Sequence, residues 1–333
     1  MTITKSTLDD IFKVFETRFN AAQQAAVQPA FPNELTEGDI AITVQSGGAA
    51  TVHAWLNQIK GMRQWVGPRV INALKAGVLT VTNDDYENTV GVSRNNIEDD
   101  SYGVFAPLIG AMGADSQLLW RRLAVAALQG NGLWADGNPF FCSGRQLGDA
   151  GSVITNAVAA ALSKAAVESA IATMRAWKGA GGEPLEVAPD TLVVGPALES
   201  LAKLICEADL VANDAGTATQ SNVSTARALK VRVSGRILGN GWFVTGRKGG
   251  IPAVAVQQRK AGILTRMDAD SDEAVFMLNE YRYGTHARGA SFLTMPFLAY
   301  AGGMSGVPAW AEKTDGSDTS NVEASDLGQH AEP

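Results

Sequence analysis

Residues 83–113 read NDDYENTVGVSRNNIEDDSYGVFAPLIGAMG. Three acids in a row, Glu98, Asp99 and Asp100, stand between an alternating apolar run and a long helical period. They pose a choice between a metal or proton-exchange site and the start of a helix. Consecutive side chains on a helical turn point about 100° apart, so the three cannot converge on one ion. Asn95 or Asn96 can instead cap a turn whose positive first positions hold the acids, each contributing about 0.3–1 kcal/mol there. A second role would set the acids against arginines of another subunit, for instance Arg63, Arg69 or Arg94.

The flanks support the structural role. Upstream, VLTVTNDDYENTVGV (78–92) alternates at Leu79 and Val81, then at Tyr86, Val90 and Val92, around Asn83-Asp84-Asp85, which predicts a β-hairpin. Downstream, Phe105, Leu108, Ile109, Met112, Leu119, Leu123 and Leu128 fall near one helical face over 104–129, about seven turns. This should be the longest helix, with Gly110 and Gly113 marking a place for a bend.

Working outward, residues 6–26 carry Leu8, Ile11, Phe12, Phe15 and Phe19 at helical spacing. Residues 27–51, with Pro29, Pro32 and Gly47-Gly48, read as an extended arm rather than a core element. Residues 52–82 hold Trp55, Trp65 and many aliphatics broken by glycines. A long hairpin tied to that loop would expose apolar surface on an isolated monomer, and partner burial is the remedy. Residues 163–177 form a helix ended by Gly179, and 191–208 a buried strand followed by Pro196 at a helix start. Residues 228–246 and 251–264 supply strands, and 279–301 reads as one or two more, rich in aromatics.

The chain has 333 residues, 46% apolar and only 18% charged, against about a quarter charged in an average protein. Such a thinly charged surface fits large subunit contacts. No apolar run reaches bilayer length, and the opening MTITKSTLDDIFKVF lacks a signal peptide's order. Cys142 and Cys206 are too few for a disulfide framework, so a reducing compartment is expected. The net charge is −7. Residues 312–333 carry six acids against one base, a net of −5, leaving −2 for the body. That near-neutral body has no basic field for specific nucleic-acid recognition. The final ~20 residues, nearly devoid of apolar groups, should be disordered.

Chemical motifs are missing. GNGWFVTG (239–246) misplaces the third glycine and runs into strand, so it reads as a hairpin turn, and GRKGG (246–250) is only part of a phosphate loop. His53, His286 and His330 are scattered, without metal-ligand spacing. Cys142 lacks the surroundings of a catalytic thiol and reads as a packing residue.

Taken together, MRQWVGPRVINAL (62–74), the 83–113 block and DGNPFF (136–141) resemble the Mu-like prophage major head subunit family, the major capsid proteins of Mu-type tailed phages. The strands LKVRVSGRILGNGWFVTG, IPAVAVQQRKAG and EYRYGTHARGASFLTMPFLAYAGG extend the resemblance over roughly residues 5–303. The chain departs from the family at Cys142-Ser143-Gly144, where an Asp and a His-Pro turn are expected.

The resemblance implies an α+β, Hong Kong 97-type capsid fold. Its parts would be an N-terminal arm (1–50), an E-loop (51–94), a peripheral domain (95–149 and 251–303) with a spine helix at about 104–129, an axial domain (150–250) and an acidic tail (304–333). It implies a non-enzymatic subunit with no cofactor and no metal. That subunit would assemble with itself through pentamers and hexamers into an icosahedral shell around double-stranded DNA. Portal and scaffolding proteins would be its other partners, no membrane would be involved, and assembly would occur in the host bacterial cytoplasm. Interface candidates are Trp55, Trp65, Arg69, Tyr86, Arg94, Glu98, Asp99 and Asp100. Two rival readings are an encapsulin-like shell around cargo enzymes and a two-domain α/β enzyme, which would need a convergent polar site.

Overall fold

The computed structural model describes residues 5–56, 76–98, 102–147, 152–179, 182–212 and 219–304. Helix α1 (Lys5–Val27) opens the chain. A short α2 (Glu37–Ile40) leads into β1 (Ala41–Gln45), followed by β2 (Ala50–Leu56), β3 (Ala76–Thr82) and β4 (Asp84–Ser93). Then come α3 (Arg94–Glu98) and the 29-residue α4 (Tyr102–Gly130). Short strands β5 (Arg145–Leu147), β6 (Ser152–Ile154) and β7 (Ala157–Val158) precede α5 (Lys164–Ala176), β8 (Ala188–Val194) and α6 (Glu199–Cys206). Strands β9 (Leu210–Ala212), β10 (Thr219–Ser221), β11 (Lys230–Val233), β12 (Trp242–Arg247) and β13 (Val254–Met267) follow. Helix α7 (Glu273–Leu278) links β13 to β14 (Glu280–Leu293), and β15 (Ala299–Gly302) comes last.

Two sheets organise these elements. One has the order β1-β13-β14-β4, the other β11-β8-β12-β15-β7. Strands β2 and β3 form an antiparallel two-stranded ribbon of their own. The hairpin expected around Asn83–Asp85 therefore does not form. β3 pairs with β2 while β4 pairs with β14, and Asn83 is the single residue between them. Alternation identified both strands correctly, but it carries no information about which neighbour each one takes.

The 27–51 stretch is another correction, since it supplies core. Leu35 and Ile40 are buried in the main cluster, and β1 pairs in parallel with β13 from Ala41↔Val254 to Gln45↔Gln258. Its prolines exclude a long helix yet leave room for a short helix and an edge strand. Strand β15, from the closing stretch, joins the five-stranded sheet beside β12 rather than the sheet of β13 and β14.

Helix α4 runs unbroken through Gly110 and Gly113. Gly113 is there because α1 crosses it: an added Cβ would meet the Phe19 backbone, with Phe19 Cα at 2.9 Å. Phe15 and Phe19 are fully buried at this crossing, and Phe15 packs edge-on against Tyr283 with ring centroids 5.1 Å apart. Each such buried side chain contributes about 1.5–3 kcal/mol. Of the α4 face read from the sequence, Ile109, Met112, Leu119 and Leu128 are buried, while Leu108 is exposed. Helix α5 starts at its Ser163 cap, whose hydroxyl accepts from the Ala166 N–H, and it ends at Trp177 in extended conformation. Gly179 does not terminate it but closes the following loop, its N–H donating to Glu183 O.

The DGNPFF stretch is pinned by three side chains. The Asn131 side chain donates to and accepts from the Phe141 backbone. Fully buried Asn156 donates to Phe140 O and Pro296 O and accepts from the Cys142 N–H. Arg145, whose side chain is 1% exposed, pairs with Asp136 and donates to Pro139 O.

Candidate assembly interface

The β2–β3 ribbon leaves the four-stranded sheet at one place. Residues 46–49 carry the chain from β1 into β2, and Asn83 alone returns it from β3 into β4. Asn83 is 4% exposed, and its backbone N–H and both ends of its side-chain amide are hydrogen-bonded here. Its N–H donates to Ala49 O at 3.0 Å. Its Nδ2 donates to Ser46 Oγ and to Gly48 O, both at 2.9 Å, and its Oδ1 accepts from Gln257 Nε2 at 2.7 Å. Ser46 Oγ is also 2.8 Å from Thr51 Oγ1, and Ser46 O accepts from Arg259 at 3.0 Å. Beneath the amides, Val81 packs with Ala255, Ala290 and Phe292.

The expected interface residues meet different fates. Trp55 lies on β2, in register with Gly77. Tyr86 turns inward against the main core of its own chain. Burial first, then the Asp84 charge, pushes its hydroxyl up to about 12. Arg94 opens α3 and pairs with Asp270 at 3.4 Å, a contact within the chain. Glu98 closes α3. Trp65, Arg69, Asp99 and Asp100 lie outside the described residues, as does the acidic tail.

The capping role for Asn95 and Asn96 is overturned. Both sit inside α3, so Glu98 falls at its end rather than in its first turn. Asn95 Oδ1 accepts instead from Asn279 Nδ2 at 3.3 Å, and the Arg94 N–H donates to Asn279 O at 3.0 Å. Asn279 adopts φ 52° at the end of α7, a left-handed conformation that Asn tolerates. Ile97 is buried with Val92 and Tyr281, as an anchor for the turn.

Two apolar surfaces that sequence reasoning missed face solvent. Phe276, Met277 and Leu278 on α7 are 81%, 69% and 61% exposed. Leu201 and Leu204 on α6 are exposed as well, together with Leu210 and Val223. Asn222, which donates to Ile205 O and Ala208 O, holds Val223 near the end of α6. The signal for α6 was an apolar arc wider than its buried side, with Leu201 and Leu204 added to Ala202, Ile205 and Cys206 while Glu199, Ser200 and Lys203 hold the polar face.

His286 stands between Asp85 (2.9 Å) and Lys260 (3.1 Å) on the open face of β14. Burial pushes the Cys206 thiol up to about 12, which keeps it protonated and unreactive. Among the described residues no cluster of three or more His, Cys, Asp or Glu could hold a metal ion, and no helix is long and apolar enough to cross a membrane.

The sequence model for Mu-like prophage major head subunit gpT matches residues 8–158, 153–234 and 215–304. The chain belongs to the Mu-like prophage major head subunit gpT family. Within the gpT family's neighbourhood, the "Mu-like prophage FluMu major head subunit" of Haemophilus influenzae is 34% identical over 119 residues, 35% of this chain and 38% of that protein. The major capsid protein of Escherichia phage Mu is 36% identical over 74 residues, 22% and 24% of the two chains. The matched stretches thus span well under half of either curated relative.

Solved structures extend the gpT likeness across the fold. A chain of the bacteriophage JBD30 procapsid superposes with TM-score 0.55 at 22% identity, over 92% of this chain and 78% of that one. A chain of Mycobacterium phage Patience gives 0.53 at 12% identity, over 95% of each. This gpT-family chain has the Hong Kong 97-type α+β fold of phage capsid proteins.

Proposed function

We propose that this chain is a non-enzymatic major capsid subunit that assembles with copies of itself, through pentamers and hexamers, into an icosahedral shell around double-stranded DNA. One observation carries the reading: a capsid fold bearing a two-stranded β2–β3 ribbon that joins neither main sheet. An isolated two-stranded ribbon is marginal in water, and a neighbouring subunit supplies the missing surface. Many modest contacts of this kind suffice, because closing a shell multiplies them.

In this reading the ribbon is the E-loop, α4 is the spine helix, the four-stranded sheet belongs to the peripheral domain and the five-stranded sheet to the axial domain. Trp55 and Trp65 cover a neighbour, with Arg69, Glu98, Asp99 and Asp100 as its polar contacts, while Tyr86 is already committed to its own core. The exposed α7 triplet and the α6 patch are further contact surfaces. A body charge near −2 suits a wall that holds DNA without gripping phosphates. Portal and scaffolding proteins complete the partner set, and assembly takes place in the host cytoplasm. Negative-stain microscopy of the expressed protein tests this: closed shells of uniform diameter are expected, and dispersed monomers under every assembly condition would refute it.

A further inference from the structure

We infer that Asn83 is the positioning residue of the β2–β3 ribbon, fixing its direction in the free subunit before any neighbour is met. Both strands of the ribbon leave the body at the same point, and one side chain bridges the two exits. The outgoing connector, 46–49, is held through Ser46 Oγ, Gly48 O and Ala49 O, all bonded to Asn83. The returning connector is Asn83 itself. The third direction is set by Gln257, fully buried on β13, which donates to Asn83 Oδ1 at 2.7 Å and reaches Val81 O at 3.4 Å. The node is thus tied at once to the ribbon, to its entry and to the sheet.

The neighbouring contacts explain why the clamp is polar. Val81 sits in only a small cluster with Ala255, Ala290 and Phe292, which resists separation but does not select an angle. Hydrogen bonds are directional, and in a buried site an amide that loses them is penalised, so they select one orientation. Asn fits uniquely among small side chains: the node needs two donors and one acceptor on a short stem. Holding the ribbon in its bound direction removes an ordering cost from each later contact, which is how preorganisation raises affinity.

The test compares the full chain with Asn83→Ala, Asn83→Asp and Ser46→Ala. Asn83→Asp keeps the acceptor for Gln257 and loses the donor to Gly48 O. Ser46→Ala removes only one of the bonds to Asn83, together with the Ser46 hydroxyl's contacts to Thr51 Oγ1 and Gly48 O. Amide hydrogen exchange of unassembled protein reads the ribbon (50–56 and 76–82) against β8 and β12, and light scattering reads the concentration threshold for assembly. Exchange in the ribbon should accelerate about tenfold in Asn83→Ala while β8 and β12 stay as in the parent, since subglobal opening is local. The assembly threshold should rise in the order Ser46→Ala, Asn83→Asp, Asn83→Ala. Unchanged ribbon exchange, or an equal rise in β8 and β12, overturns the assignment. If Asn83→Ala fails to fold, the two milder variants carry the same comparison. The assembly arm rests on the capsid reading: a parent protein that forms no shells defeats that reading, while the exchange result still judges Asn83.

Discussion

Gly113 on α4 lies directly under the backbone of Phe19 on α1, so close that even a methyl group would displace the helix above it. This contact fixes how the first helix seats on the longest one. Gly113→Ala should cost about 1–3 kcal/mol, the range for overpacking. Gly103→Ala, which meets nothing within 4 Å, is the matched control and should cost nothing or stabilise. Urea midpoints of the two variants check the difference.

Arg145 is a buried cation whose carboxylate partner, Asp136, is 30% exposed. Asp136→Ala leaves the guanidinium with backbone carbonyls and the Trp134 ring as its neighbours. The loss should be about 3 kcal/mol. Arg145→Met combined with Asp136→Ala should lose distinctly less, because no buried charge is then stranded. Calorimetry on the single and double variants decides it.

Asp39 and Asp268 make opposite pH contributions. Burial works to raise the Asp39 pKa, but hydrogen bonds from the Thr36 N–H and hydroxyl and from Arg232 outweigh it, and the net shift is downward. Its stabilisation is present above the ordinary value of 3.8 and disappears as pH falls through the lower folded value. Burial raises Asp268, with Asp272 and Asp9 adding to the rise and Arg266 opposing it. Asp268 therefore costs stability above its folded pKa and nothing below 3.8. Asp39→Asn should lower the urea midpoint at neutral pH, and Asp268→Asn should raise it. Both differences should vanish in strong acid.

Phe276 and Met277 are exposed on the free chain, so replacing both with Ser should change stability by no more than about 0.5 kcal/mol each. As contact residues they should matter to assembly. Thermal melting should match the parent while the assembly threshold rises several-fold.

The sequence made individual elements legible far better than their partnerships. Helical periods located α1, α4 and α5 because each buries one stripe, and alternation located β3 and β4 because a strand turns successive side chains to opposite faces. The partner of β3 was hidden, since Asn83-Asp84-Asp85 has turn composition whether it closes a hairpin or passes from one sheet to another. Leu35 and Ile40 were missed because prolines and glycines around them announce loops, although two buried side chains are enough to draw such a segment into the core. Gly113 looked like a helix weakness and proved to be a crossing point. At the interface, Trp55 was read as part of a glycine-broken loop and lies on β2, and Glu98 was read in a helix's first turn and closes α3 instead. The exposure of Phe276, Met277 and Leu278 depends on what packs beside α7, which no local pattern records.

The central claim, that the chain closes into shells with copies of itself, is tested most directly by sedimentation velocity across a concentration series. The account predicts a sharp threshold above which free subunit stays constant and added protein appears as one fast, homogeneous particle. A single slow species of subunit mass at every concentration would contradict it.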